Sequence, residues 1–535
     1  MSFISKLKGV FKRMFSPETI ESTLQIQPTM STKMKDAIEL WKDMYMDNAP
    51  WVIGSPEYPN PDGNIKSLGL ASMIASEKAR TATIEMQIKV TGESERAKFI
   101  DEKHKQLLKK LRTNLEYGIA FGSFVIKPYP VAKVGSGYDI KVAYTKATDF
   151  YPLSFSDDED IVEAAFIDRI IRKNVVYTKL EHRKLEGNKL LIENRAFKSE
   201  NQNAALITNS YGELGSPVSL KSIPEWAEEP EQLVINDAEC LLFAYFKMPG
   251  TNIVDINSPL GCSGFAKAVD LIRDADYQYS NLLWEFEGGQ LAVDVDRTAL
   301  NPLKDKDGNM KEFLPKLQNR LFRHSLDLGD DNTYNVFNPE FRDSSIINGL
   351  NNILMHIEDV CEMSRGSLSE VTYAEARTAT EMRILKQRSF AANKAIQEAL
   401  EDTLKAYALI LDKYCDLYDI APKGDFEIAY CWDDSIIVDK DTEKQMDLIE
   451  VDKGLMSKVE YRVKWMGETE TQAQKALDEI NKEAEQAMLM TQKVMNNNSN
   501  NTGEPTERAE SQRKLEKSNE STETTKIDSP PQNSK

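Results

Sequence analysis

Carboxylates, imidazoles and thiols are the side chains most able to do chemistry, so their grouping decides what reactions this sequence could support. Two acidic clusters stand out: Asp157-Asp158-Glu159-Asp160, and Asp433-Asp434 with Asp439 and Asp441 bracketing Ser435-Ile436-Ile437-Val438. Clustered carboxylates can hold Mg²⁺ or Ca²⁺ and so support phosphoryl chemistry. Consecutive acidic residues in a turn are more often a solvated bend, and that is the reading taken for both. Asp305-Lys306-Asp307-Gly308-Asn309 hints at a calcium loop, but its glycine comes two positions early and Lys316 stands where the bidentate glutamate belongs. The four histidines (His104, His182, His324, His356) have no metal-ligand spacing, and His356 reads as structural. There is no GxxxxGK[ST] phosphate loop and no HExxH. The five cysteines (Cys240, Cys262, Cys361, Cys415, Cys431) are far apart, odd in number and mostly in apolar runs. They read as reduced, buried thiols of a cytosol-like compartment. The expectation is a protein that is not an enzyme and carries no metal and no cofactor.

One further segment could make a functional contact, Gly366-Ser367-Leu368-Ser369-Glu370-Val371-Thr372-Tyr373. It lies between two long helical patterns, and a loop on rigid supports is well placed to project. Taken alone, the pattern favours a plain helix–helix connector. In the helix before it, Ile346, Leu350, Ile353, Ile357 and Val360 recur at alternating steps of four and three, one stripe that packs along another helix. That helix is expected to stop at Arg365-Gly366-Ser367. The helix after the loop begins near Ala374 and carries Ala379, Met382, Leu385, Ala392, Ile396, Ala399, Leu400, Leu404, Tyr407 and Leu411, with no Pro or Gly before Pro422. Forty-odd residues make a rod of about 60 Å. Few single domains need such a rod; assemblies do.

The elements that position these pieces follow from the rest of the chain. Its 535 residues give a length prior of about three or four domains. A net charge of −19 argues against general affinity for nucleic acid, although an acidic channel wall would keep passing DNA from sticking. No apolar run approaches the ~20 residues that span a bilayer. Residues 1–15 form a basic amphipathic pattern, with Phe3, Ile4, Leu7, Val10, Phe11 and Met14 on one face. A helix on a membrane surface would fit it; an arm packed on a neighbouring chain is the preferred reading, with no membrane partner. Helices are expected at 34–45, 67–86 and 99–117, with a switch to strand from Gly118. Strands are expected at 140–144, 162–167, 175–180, 190–194 and 241–246, with a polar surface excursion at 200–231. The first part is therefore α+β, helices and then antiparallel strands. Ser258-Pro259-Leu260 is expected to open a helix ending at Gly288-Gly289. This helix and the one from Arg342 bracket a strand-rich segment, 291–341. A strand near 426–438 precedes helices over 442–487, with breaks around Gly454 and Gly467. The composition from Asn496 to Lys535 is that of a disordered tail.

This order of pieces resembles the portal proteins of tailed bacteriophages, in the branch found among phages and prophages of Gram-positive bacteria. It includes the Thr378-Ala379-Thr380-Glu381 opening of the long helix and the Asp433-Asp434-Ser435-Ile436 strand, and covers about Lys33 to Glu485. No single motif carries it; the sequence of elements does. The resemblance implies an α+β, multidomain portal-type subunit. Residues 1–32 would be an arm, 33–257 an α/β wing, 258–290 and 342–365 the paired stem helices, and 291–341 a small β-rich clip. Residues 366–376 would be the tunnel loop, 377–438 the long wing helix and strand, 439–495 a helical crown and 496–535 the tail.

It implies a ring, usually of twelve subunits, at one capsid vertex of a virion assembled in the host bacterial cytoplasm. The ring would conduct double-stranded DNA during packaging and ejection. The clip, through Arg320, Phe322, Arg323, Tyr334 and Phe337, would dock the terminase large subunit and then the head-completion adaptor. The major capsid or scaffolding protein would be a further partner. Within the family the loop Gly366–Tyr373 faces the DNA, which reverses the plain-connector reading. The alternatives are a helical scaffold or adaptor oligomer without a DNA channel and, last, a metal-dependent nuclease using the acidic clusters.

Overall fold

The computed structural model describes residues 18–24, 30–60, 63–84, 86–133, 137–157, 160–173, 175–199, 213–289, 340–370, 379–432, 440–466 and 473–482, with five short strands between 292 and 337. The basic arm (1–17), the calcium-like loop (305–309), most of the second acidic cluster (433–439) and the polar tail from 496 lie outside the described residues. The chain divides into two units, 1–437 and 438–535.

The first unit opens with β1 (Glu18–Thr19), α1 (Ile20–Leu24), α2 (Thr32–Tyr45), α3 (Pro50–Ile53) and α4 (Leu70–Thr83). Ser31 caps α2 by accepting from the Met34 amide at 3.3 Å, and Met34, Ile38 and Trp41 bury one face at helical spacing. After β2 (Met86–Thr91), α5 runs from Glu95 to Phe121 behind a second serine cap, Ser94 accepting from the Ala97 amide at 3.0 Å. The expected switch to strand at Gly118 does not occur, because Gly118, Ile119 and Ala120 continue the buried helical face. A Cβ on Gly118 would stand 2.5 Å from the Phe124 ring, so glycine is what lets that ring pack on the helix. Gly122, at φ +88°, then ends α5.

The strands β3 (Ser123–Ala132), β4 (Tyr138–Lys146), β5 (Phe150–Phe155), β6 (Ile161–Arg172), β7 (Val175–Glu186), β8 (Lys189–Ser199), β9 (Glu213–Val218), β10 (Gln232–Asn236) and β11 (Ala244–Lys247) follow. They form two antiparallel sheets, β1-β9-β8-β7-β6-β5 with β10 also on β8, and β11-β3-β4. The sheets are joined by buried charge. Lys127 of β3 donates to Glu181 of β7 at 2.7 Å, and Arg183 donates to the same carboxylate at 2.8 Å and to the Leu241 carbonyl at 2.7 Å. Burial alone would raise the Glu181 carboxyl, but the two cations overcome it and hold it well below the usual carboxylate range. The expected surface excursion is corrected over 213–231. There β9 joins the sheet, and Leu214, Leu220, Ile223 and Trp226 are buried. Its apolar residues stand singly among Gly, Ser, Pro and Glu, so no period announces them.

The helix expected at Ser258 begins only at Val269: α6 is Val269–Gly288. Residues 260–264 are instead held edge-on to the α5–β3 junction. The Gly264 amide donates to the Ile119 carbonyl at 2.8 Å and the Met248 amide to that of Gly122 at 2.9 Å. A Cβ on Gly122 or on Gly261 would collide with the other's backbone, so two glycines permit the crossing. Next come β12 (Ala292–Asp296), β13 (Pro302–Lys304), β14 (Met310–Glu312), β15 (Phe322–Ser325) and β16 (Tyr334–Phe337), with β12 between a parallel β15 and an antiparallel β16. The chain returns through α7 (Asp343–Val360) to α8 (Ala379–Leu417), a helix of 39 residues, and β17 (Glu427–Trp432), which pairs with β2. One seam of α8 is fully buried: Ile396, Leu400, Leu404, Tyr407 and Leu411. It packs on α4, α5, β3 and β11.

The cysteines are free, as expected, but Cys240 and Cys431 are exposed rather than buried. Cys431 lies on β17, whose residues alternate exposed and half-buried, and falls on the open face. In the second unit, α9 (Lys440–Asp452) and α10 (Lys458–Met466) are tied by Asp447, which accepts from Lys464 at 2.6 Å and from the Trp465 indole at 2.8 Å. Among the described residues no helix is long and apolar enough to cross a membrane.

Gly137→Ala should lose only the ~1–2 kcal/mol of a left-handed non-glycine residue, since its φ is +87° with open space around it. Gly122→Ala should lose clearly more in urea unfolding, because strain and backbone collision add. Equal losses would mean the Gly122–Gly261 crossing does not constrain the fold.

Candidate functional site

The candidate site is α7 with the structures fixed at its two ends. Along α7 the expected stripe faces inward unevenly. Ile357 is fully buried, Leu350, Ile353 and Val360 pack half-buried on the main core, and Ile346 is half-buried outside it. The neighbour is α6. His356 is exposed, off the stripe.

At the N-terminal end, Glu285 of α6 accepts from the Arg342 amide and Nε, both at 3.1 Å, and from Nη2 at 2.6 Å. Beside this fork, Phe341 packs against Phe286 at 5.8 Å between centroids and closes over Gly289, where a Cβ would stand 2.5 Å from the ring. The two ends of the strand-rich segment are thereby pinched together. Its expected contact residues fall on the outer strands of the three-stranded sheet. Phe322 and Arg323 lie on β15, in register with Val293 and Asp294, and Tyr334 and Phe337 lie on β16, opposite Val295 and Ala292. Arg320 lies outside the described residues.

At the C-terminal end, α7 stops at Val360 rather than Arg365. Glu362 takes a left-handed φ of +58°, its amide bonds the Asp359 carbonyl at 3.3 Å, and the Met363 amide bonds the Glu358 carbonyl at 2.8 Å. That paired closure ends a helix on a non-glycine residue. Gly366, at φ +89°, makes the second turn.

The chain then doubles back along α7 on two clamps. Glu358 is fully buried, and one of its carboxylate oxygens accepts from the amides of Gly366 (3.1 Å), Leu368 (2.6 Å) and Ser369 (2.8 Å). The other accepts from the Ser369 hydroxyl at 2.7 Å. Two turns earlier on the helix, Asn351 donates to the Glu370 carbonyl at 2.9 Å and accepts from its amide at 2.7 Å. Within the expected loop, then, Gly366, Ser367 and Glu370 are exposed, Leu368 is half-buried and Ser369 is buried as an anchor. Val371, Thr372 and Tyr373 lie outside the described residues. The arrangement fixes the base from which residues 371–378 depart.

Glu358 is the residue that sequence reasoning missed. The available signal was a carboxylate next to Ile357 on a buried stripe, followed eight residues later by Gly366-Ser367-Leu368-Ser369, a run rich in donors. Of the first acidic cluster, Asp158 and Glu159 lie outside the described residues, while Asp157 and Asp160 are exposed and the Asp160 amide donates to the Ser156 hydroxyl at 3.2 Å. Among the described residues no group of three or more His, Cys, Asp or Glu side chains is arranged to hold a metal ion.

Glu358→Ala should leave three amides and a hydroxyl short of an acceptor, costing about 2–3 kcal/mol of stability. Exchange of the Leu368 and Ser369 amides should accelerate at least tenfold by hydrogen-exchange mass spectrometry. Unchanged exchange there would show that the carboxylate does not hold the loop base.

No protein-family model matches the chain, and no curated protein matches it. Among solved structures it is weakly similar to a chain of the neck of a native GTA particle computed with C12 symmetry, at a TM-score of 0.35 and 9% identity, over 82% of this chain and 94% of that one.

Proposed function

We propose that the chain is a portal subunit: a ring-forming, non-enzymatic component of a tailed-phage virion that conducts double-stranded DNA through one capsid vertex. The observation that carries this reading is the pair α6 and α7. Together they support a strand-rich excursion at one end and a clamped loop at the other, and they leave large apolar side chains in water. Trp284 is 64% exposed and Ile347 42%, with Leu283 and Phe286 of α6 also exposed. Apolar residues concentrated on one helix pair mark a surface that another chain covers. A second copy of the same helices, related by rotation, would cover it and close a ring.

In this reading α6 and α7 are the stem and residues 291–341 the clip that docks the terminase large subunit and later the head-completion adaptor. The capsid or scaffolding protein contacts the wing, residues 33–257, and the second unit contributes the crown. The loop Gly366–Tyr373, its base fixed by Glu358 and Asn351, forms the contact with DNA. The function is mechanical: the subunit holds a channel of set width, and its net charge of −19 keeps DNA from binding the wall.

Electron microscopy of the purified protein tests the proposal directly. Closed rings with a central hole support it; a filament, or a small oligomer without a hole, would replace it with the adaptor reading. Ile347→Asp with Trp284→Ala should leave the subunit's melting temperature within a few degrees, because both sites are exposed, while abolishing rings. Deleting Val371–Tyr373, beyond the anchored base, should preserve rings and reduce the DNA packaged per head. Normal packaging by that variant would remove the loop from the DNA path.

A further inference from the structure

Lys78 is a charged side chain buried with no countercharge in ion-pair contact among the described residues, although the Glu362 carboxylate acts on it from farther off. It sits on the inward face of α4 at 7% exposure, and its ammonium has no hydrogen-bond or ion-pair partner among the described residues. Its aliphatic stem lies against Gly264, where a Cβ would stand 3.4 Å from the lysine Cδ. The residue lines a cavity of about 180 Å³, walled also by Met248 and Thr251 after β11, Ser263 before α6, Cys361 and Glu362 after α7, and Ile396 of α8. That is far more than the ~10–15 Å³ one water needs by the same measure.

Water can satisfy the hydrogen bonds of a buried ammonium but not its charge. The cavity wall carries two ammonium groups, Lys78 and Lys267, against one carboxylate, Glu362, which lies 4.0 Å from Lys267. Cys361 adds nothing negative, since burial pushes its thiol up to about 11. Burial likewise pulls the Lys78 ammonium below its usual value, the direction of a group short of a partner anion.

We propose that this cavity is a binding site for one oxyanion, a carboxylate or phosphate group, with Lys78 as its charge partner and Lys267 at its rim. The oxyanion has two possible sources, a small free anion or an acidic side chain of a second copy of this chain. The site does not depend on the portal reading, since it is built entirely from residues of one subunit.

The test compares wild-type protein with Lys78→Met, which keeps the stem and removes the charge. Thermal unfolding of the unassembled chain is followed at constant ionic strength as chloride is replaced by inorganic phosphate or by acetate. General salt effects raise both proteins alike, so the difference between them is what counts. A wild-type melting temperature that climbs saturably, by about 2 °C or more at ten times the dissociation constant, with no such climb in Lys78→Met, identifies a free anion. If neither protein responds, but Lys78→Met needs at least tenfold more protein to assemble, the oxyanion is a side chain of the second copy.

A Lys78→Met chain as stable as wild type or more so, with the same anion response and the same assembly, overturns the proposal. Should Lys78→Met not fold, Lys267→Met, at an exposed rim position, takes its place. It should weaken the phosphate effect or the assembly at least threefold, and an unchanged result in both overturns the proposal equally.

Discussion

The seam of α8 is the constraint on which the rest of the first unit depends. A 39-residue helix has little stability in water by itself; what fixes it is burial of one face. Ile396, Leu400, Leu404, Tyr407, Leu411 and Tyr414 follow one another at three- and four-residue steps, all nearly inaccessible. Because α4, α5, β3 and β11 all pack on this seam, helices from the start of the chain and strands from its middle share one core. Polar ties set the register: Thr81 donates to Asn393 at 3.1 Å, and the Trp432 indole donates to Glu401 at 2.7 Å. Near the far end, buried Arg96 reaches from α5 to Asp412 at 2.7 Å, Asp416 at 2.8 Å and the Ala421 carbonyl at 2.6 Å. The apolar seam supplies the free energy, and these directional bonds remove the freedom to slide.

Against this frame, α6 and α7 act as posts with fixed attachment points. Each end of α7 is set by a glutamate that accepts several donors at once. Glu285 takes the Arg342 backbone and side chain, and Glu358 takes three amides and a hydroxyl. Ionised acceptors make short, strong bonds, and one carboxylate with several donors locks more backbone than a single neutral pair does. Both excursions, the strand-rich segment and the loop, therefore leave the core from rigid positions.

Glycine and buried charge do complementary work where elements meet. Gly122 and Gly261 allow two backbones to cross closer than any side chain would permit, which is why the chain before α6 stays irregular. Glu181, between Lys127 and Arg183, joins two sheets that share no strand. Lys78 is the exception, a buried cation with no such partner among the described residues.

The sequence by itself determined the elements whose signal is periodic and local. The stripe of α7, the seam of α8, the bodies of α2 and α5, and the strand-rich character between α6 and α7 all follow from spacing that neighbouring residues impose on one another. The α+β class follows from their order. It did not determine where α6 begins, that α5 runs past Gly118, or that α7 stops at Val360, because each boundary is set by contacts distant in the chain or by a left-handed Glu362 where glycine would be expected. Nor could it separate the half-buried Leu368 and buried Ser369 from the exposed Gly366 and Ser367, since all four are consecutive residues of one loop without a period. Glu358 takes the amides of Gly366, Leu368 and Ser369 but buries only the Ser369 side chain with it, and burial is a property of the packed structure alone.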